Sequence, residues 1–277
     1  MLKKEEIRIR DPFIYTDTEN GCYYMYGTTA LRNGSGAAGN TFSVYRSTDL
    51  ESFEEPKVIV DGTKLNFWAD RDFWASELHK YKGKYYLFGS CITDGKCRAT
   101  HIFVCDTPDG EFVPVSDKPV TPEDWFCLDG TLWVENDIPY MVFCHEWTQI
   151  KDGEICVVRL SDDLTQAVGE PVVLFHASDS PYVSETREGN GKYITDGPFL
   201  YSEGGKLNMI WSSVNKGNYQ VLLAQSDSIM GKWEHKQGQF DFDGGHAMLF
   251  NRLDGKRMIS LHRPNKTDLE RAVFYEY

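Results

Sequence analysis

The chain has 277 residues, with 29 Lys and Arg against 42 Asp and Glu, giving a formal net charge of −13. An acidic chain without a basic stretch is repelled by phosphate backbones, which argues against nucleic acid as a partner, and 41% apolar with 26% charged residues describes a folded globule rather than a disordered chain. No apolar run approaches the ~20 residues needed to span a bilayer, and Met1–Arg10 lacks the apolar stretch of an export signal, so the expected location is cytoplasmic with no membrane partner.

The first strand-like run is Asp11-Pro-Phe-Ile-Tyr15. It is followed by a hairpin signal and Gly21-Cys-Tyr-Tyr-Met-Tyr-Gly-Thr-Thr29, then by Thr41–Arg46 and the acidic turn Ser47-Thr-Asp-Leu50. The same order returns as Glu77–Tyr81, Gly83–Ser90, Thr100–Cys105 and the turn Asp106–Gly110. It returns again as Asp129–Val134, Ile138–Cys144, Glu154–Arg159 and Ser161–Leu164, and then as Asp196–Tyr201, Gly205–Ser213, Tyr219–Ala224 and Ser226–Ile229. A fifth unit opens with His246–Phe250 and Gly255–His262. The runs are rich in β-branched and aromatic residues and bounded by turn formers, as antiparallel strands are.

Unit starts are separated by 66, 52, 67 and 50 residues. Such repeats are too long for solenoid coils and suit blades of three or four antiparallel strands. The predicted fold is therefore all-β, a five-bladed β-propeller occupying residues 1–277 as a single domain. A β-sandwich is the rival, but it leaves the repeated polar residues at strand starts unexplained. Polar or Gly/Ser-rich segments at 30–40 and 176–194 are expected to be rim loops. The seven cysteines are odd in number and form no C-x-x-C pair, so they are expected as buried free thiols rather than disulfides or zinc ligands.

In a propeller the innermost strand of each blade lines the central channel. The five strand starts then bring Asp11, Glu77, Asp129, Asp196 and His246 around one mouth. Crowded carboxylates in a partly dry cavity raise one another's pKa values, which lets one acid stay protonated beside another that is ionised. Taken singly, Asp-Pro and Asp-Gly are ordinary turn dipeptides; as a set in register they point to a site. Trp74, just upstream of Glu77, reads either as a platform for a sugar ring or as a core indole between blades. Glu146, with His145 and Trp147, ends the second strand of the third unit and is a further candidate for the pocket.

Arg10-Asp-Pro-Phe-Ile14, Trp74-Ala-Ser-Glu-Leu78, Leu128-Asp-Gly-Thr-Leu132, Thr195-Asp-Gly-Pro-Phe199 and Gly245-His-Ala-Met248 resemble, in order, the blade-opening motifs of family-43 glycoside hydrolases. The resemblance runs from Arg8 to the Leu261–Asn265 segment. It implies a five-bladed propeller that cleaves arabinofuranosides or xylosides with inversion, and it assigns the general base to Asp11 and the residue tuning the acid's pKa to Asp129. The family's general acid is a Glu in a Glu-Gly-Pro motif, and Asp196 stands in its place here. One methylene shorter, Asp196 falls short of the leaving oxygen by more than ~1 Å unless substrate sits deeper, which leaves open Asp196 as a shorter acid, Glu146 in its place, or activity that is weak or absent. The resemblance also implies a Ca²⁺ or water in the channel beside His246, although a lone His is a poor calcium ligand; no cofactor is required for the chemistry.

The expected function is inverting hydrolysis of small α-L-arabinofuranosides or β-D-xylosides, with β-galactofuranosides as an alternative. Arg263 is expected either to bind a sugar hydroxyl or to form a surface ion pair. A non-catalytic sugar-binding propeller is the second reading, because of Asp196. A phosphorylase is the third, because the channel starts are acidic where phosphate needs basic groups. A retaining fructosidase-type propeller needs an Asn-Asp-Pro-Asn context that Arg10–Phe13 does not supply.

Overall fold

The computed structural model describes residues 1–29, 39–238, 240 and 242–277. Five antiparallel sheets follow one another along the chain as the blades of a β-propeller. Their first, innermost strands are Arg10–Asp17, Arg71–Tyr81, Cys127–Glu135, Asp196–Glu203 and Gly245–Asn251. Second strands are Cys22–Thr28, Lys84–Ile92, Ile138–His145, Lys206–Asn215 and Arg257–Arg263, and third strands are Thr41–Ser47, Ala99–Cys105, Glu154–Arg159, Asn218–Ser226 and Arg271–Glu276. Every strand expected from the sequence is present, which disposes of the sandwich. The expected rim loop at 30–40 lies, except for Gly39 and Asn40, outside the described residues. Much of 176–194 is irregular, tied down by hydrogen bonds such as Ser184 N–H to the Val214 carbonyl.

The hairpins are tight because their turns suit twisted strands. Lys82-Gly83, Asn136-Asp137, Gly204-Gly205 and Lys216-Gly217 each join two strands with both residues at positive φ, the backbone twist that matches right-handed strands. The apolar core is divided by blade boundary. One cluster joins the second and third blades around Phe88, Phe143 and Cys156, another the third and fourth around Val142, Trp211 and Phe175, and a third the fourth and fifth around Ile210 and Leu261. The largest packs the first blade against its neighbours through Tyr26, Phe42, Phe53 and Phe73. Trp211 is fully buried, and its truncation to Ala would cost about 3–5 kcal/mol.

The ring closes through polar contacts between first and last blades. The Ser260 hydroxyl donates to the Pro12 carbonyl at 2.9 Å, the Ile9 amide to the Glu270 carbonyl at 3.2 Å, and Arg10 Nη1 to Asn265 Oδ1 at 2.5 Å. The cysteines are free thiols, five of them buried and Cys97 and Cys105 partly so, as composition suggested. No helix is long and apolar enough to cross a membrane among the described residues.

Candidate active site

Each innermost strand carries a β-bulge near its start. In the first blade Arg10 faces Thr28 and Phe13 faces Tyr26, leaving Asp11 and Pro12 in the bulge. The corresponding pairs are Trp74–Ser90 and Glu77–Phe88, Leu128–Cys144 and Thr131–Val142, Asp196–Ser212 and Phe199–Ile210, and Gly245–His262 and Met248–Ser260. The first bulge residue is left-handed in all five blades, with φ of 58° at Asp11, 47° at Ala75, 55° at Asp129, 51° at Gly197 and 54° at His246. A bulge re-aims side chains relative to the pleat, and a left-handed non-glycine residue stores backbone strain of the kind found at functional sites.

This register corrects the one expected from sequence. Asp11, Asp129 and His246 are equivalent, but Asp196 precedes the left-handed position by one residue and Glu77 follows it by two. Asp196 therefore occupies the place that Arg10 holds in the first blade. The apolar runs that mark strands in the sequence carry no sign of an inserted bulge residue, and the second blade's strand begins earlier, at Arg71. Gly197 is required where it stands: a Cβ there would lie 2.7 Å from the His246 ring, in a backbone conformation that L side chains rarely adopt.

Despite the register difference, the carboxylates converge. His246 Nδ1 lies 3.1 Å from Asp11 Oδ1 and 3.7 Å from Asp129 Oδ2. Asp129 Oδ2 also accepts the Gly197 amide at 2.9 Å, and the next residue back is Asp196. Asp11 is held further by the Thr28 hydroxyl, which donates to Oδ2 at 3.0 Å, and by Arg10 Nε at 3.4 Å from Oδ1. The Tyr219 hydroxyl donates to Asp196 Oδ2 at 3.0 Å. Glu77 is buried and lies 3.2 Å from His79 Nε2.

The electrostatics divide the three aspartates. Burial alone would raise the Asp11 pKa, but the His246 and Arg10 cations outweigh it and hold the carboxyl well below the usual range. Burial pushes Asp129 up to about 6, with His246 and the Gly197 amide opposing and Asp11 and Glu77 reinforcing the rise. Asp196 is pushed to about 8 by burial and by the Asp129 charge, against the pull of Arg10 and His246. Burial disfavours the His246 cation, yet Asp11 and Asp129 raise its pKa to about 10. At neutral pH the site thus holds an ionised Asp11, a protonated Asp196 and an imidazolium between two carboxylates.

Other expected site residues are placed differently. Glu146 pairs with Arg98, 3.5 Å away, and Arg98 also meets Asp72 at 3.1 Å and covers the Trp74 ring at 3.6 Å. That group lies at the boundary of the second and third blades, with Trp74 half-buried under a guanidinium at the bulge-start place that Arg10 and Asp196 hold in their own blades. His145 is buried, stacked on Trp125 at 4.2 Å, with its ring nitrogens bonded to Glu154 and Gln149, both at 2.9 Å. It is a packing residue and does not present a nitrogen to a ligand. Trp147 opens the short helix Trp147–Ile150 with Lys192 5.6 Å above its ring. Arg263 is exposed and lies over Phe242 at 4.3 Å; the arginine that joins the aspartates is Arg10.

Calcium takes six to eight oxygens, and His246 supplies none, its Nδ1 being turned to Asp11 and Asp129. Among the described residues no three His, Cys, Asp or Glu form a group that could hold a metal ion. Arg10, Tyr219 and His262, whose Nδ1 lies 3.4 Å from Asp11 Oδ1, were missed by sequence reasoning. Arg10 adjoins Asp11 in the first motif and could have been found there; Tyr219 opens a third strand and has no local signal.

Beside Tyr219 lies a polar cavity of about 310 Å³, lined in part by Thr186, Arg187, Asn218, Asp243 and Asn265. A larger one of about 630 Å³, between the second and third blades, includes Trp68, Lys96, Pro119 and Phe126.

A five-bladed ring with carboxyl groups of opposed protonation at its axis defines a class, the propellers that cleave glycosidic bonds. Comparison with known proteins gives the family. The chain belongs to the glycosyl hydrolases family 43, whose family model matches residues 6–276, and it is a glycosidase. It is similar to the endo-arabinase structure from Bacteroides thetaiotaomicron VPI-5482, at 37% identity and a TM-score of 0.90, covering 100% of this chain and 96% of that one. It is also similar to arabinan endo-1,5-α-L-arabinosidase A of Aspergillus aculeatus, 20% identical over 87% of this chain and 73% of the relative. The α-L-arabinofuranosidase structure from Lactobacillus brevis shares the fold, at 18% identity and a TM-score of 0.75, covering 97% of this chain and 90% of that one.

Proposed function

We propose that this protein hydrolyses α-L-arabinofuranosyl linkages with inversion, using Asp11 as general base and Asp196 as general acid. The observation that carries the reading is the convergence of Asp11 and Asp129 on the His246 imidazole, with Asp196 tied in through the Gly197 amide on Asp129; burial and the Asp129 charge push the Asp196 carboxyl up, while His246 and Arg10 hold Asp11 down. Asp11 takes a proton from a water, whose oxygen attacks the anomeric carbon as the glycosidic C–O bond breaks. Asp196 delivers its proton to the departing oxygen. Asp129 keeps that acid protonated by like-charge coupling, and the Tyr219 hydroxyl orients it. Glu146, engaged with Arg98, is not the acid.

Arabinose as the sugar is supported by the names of the two relatives with endo-arabinanase activity. The sequence pattern favours short substrates such as small α-L-arabinofuranosides and β-D-xylosides, while the endo-acting relatives favour longer chains. Nitrophenyl α-L-arabinofuranoside, β-D-xyloside and β-galactofuranoside, set beside linear arabinan, separate these readings. Turnover of an arabinose substrate with the opposite anomer appearing first in the proton NMR spectrum is expected. Sugar binding without hydrolysis over days would instead favour the non-catalytic reading.

A further inference from the structure

Four of the five blade junctions share one hydrogen bond. The residue opposite the bulge start on one blade accepts the amide of the next blade's left-handed residue. Thr28 Oγ1 accepts from Ala75 at 2.8 Å, Ser90 Oγ from Asp129 at 2.9 Å, and Ser212 Oγ from His246 at 2.8 Å. At the closure His262 Nδ1 accepts from Asp11 at 3.3 Å. The third blade carries Cys144 at this position, facing Leu128. There the Gly197 amide donates to the Asp129 carboxylate instead.

We propose that Cys144 is a positioning residue, which leaves the Gly197 amide to Asp129 by offering no oxygen acceptor at the third junction. A thiol is a weak acceptor, and this one is fully buried and engages the Thr195 side chain. The consequence is a fixed donor on Asp129 from the strand that carries Asp196, so modulator and acid are tied together by one backbone bond. A donor to a carboxylate favours its ionised form. Asp129 is otherwise faced by His246 of the fifth blade, Asp11 of the first, Glu77 of the second, and Asp196 and Tyr219 of the fourth. Of these only His246 stabilises its charge.

The proposal deepens the reading of Asp129 as the group that keeps the acid protonated, and it rests on that reading. Cys144→Ser supplies the missing hydroxyl, and Cys144→Ala removes the thiol without supplying one. Serine should draw off the Gly197 amide, so that Asp129 ionises about one pH unit higher. The acid-side limb of the kcat profile then moves up by that amount with KM unchanged, while the alanine variant keeps the wild-type limb. Carboxyl ¹³C NMR titration of Asp129 in the same three proteins reads the shift whether or not the enzyme turns over. An upward shift confined to the serine variant is the expected result. An unmoved Asp129 in Cys144→Ser, or an equal shift in Cys144→Ala, overturns the proposal; absence of turnover in a wild-type protein with normal titrations overturns the hydrolase reading alone.

Discussion

His246 Nδ1 lies 3.1 Å from Asp11 Oδ1, a contact that joins the last blade to the first at the mouth of the channel. The imidazolium also reaches Asp129. It is the cation that allows two buried carboxylates to face one another. Replacing it leaves those charges uncompensated in a site where burial already penalises them. For His246→Gln we expect kcat to fall about 100-fold and the acid-side limb of the pH–rate profile to rise, because Asp129, whose ionisation sets that limb, loses the largest influence opposing its rise. An unmoved limb would mean that Asp129 does not set it.

Asp196, held protonated to about pH 8, should set the alkaline limb, with activity lost as pH rises through that value. Asp196→Asn should lower kcat/KM by about 10²–10⁴ on substrates with poor leaving groups and much less on dinitrophenyl glycosides, which leave without a proton. A uniform loss across leaving groups would assign the acid elsewhere.

Stability should depend on pH through the same cluster. Asp129, Asp196 and His246 bind protons more tightly folded than unfolded, their pKa values rising from 3.8 to about 6, from 3.8 to about 8 and from 6.5 to about 10. A raised value gives stability that is fully present below the unfolded pKa and lost as pH rises through the folded one. The melting temperature should therefore decline between pH 6 and 10, and Asp196→Asn should flatten the part below pH 8. Asp11 acts oppositely, its contribution present above pH 3.8 and lost in stronger acid. A melting temperature that rises from pH 6 to 10 would contradict these assignments.

Two arginines give a further contrast. Arg263 lies over Phe242 on the exposed rim, so Arg263→Ala should leave kcat/KM within about twofold. Arg10 neighbours Asp11, Glu270 and Asn265, and Arg10→Met should impair both folding and turnover. Equal kinetic losses in the two variants would undo this distinction.

The repeat was legible because β-branched and aromatic runs recur between turn signals, and hairpin turns such as Asn136-Asp137 leave marks in the sequence. Convergence of Asp11, Asp129 and Asp196 followed from blade order alone. The one- and two-residue offsets of Asp196 and Glu77 were hidden, because a bulge alters backbone pairing without altering the apolar pattern. The partners of Glu146 and His145 were hidden for a related reason. Strand order gives their position along the blade, but only packing reveals that Arg98 and Glu154 claim their polar atoms. Tyr219 reaches Asp196 from a third strand whose start carries no motif.

The most direct test uses azide with Asp11→Ala. Azide is a small anion that needs no general base, and it fits the space left by a carboxylate. If Asp11 activates the attacking water, the variant loses nearly all hydrolysis of an activated aryl α-L-arabinofuranoside, and azide restores turnover with formation of the β-arabinofuranosyl azide. Wild-type turnover in the variant without azide, or an azide product of retained α configuration, would contradict the mechanism.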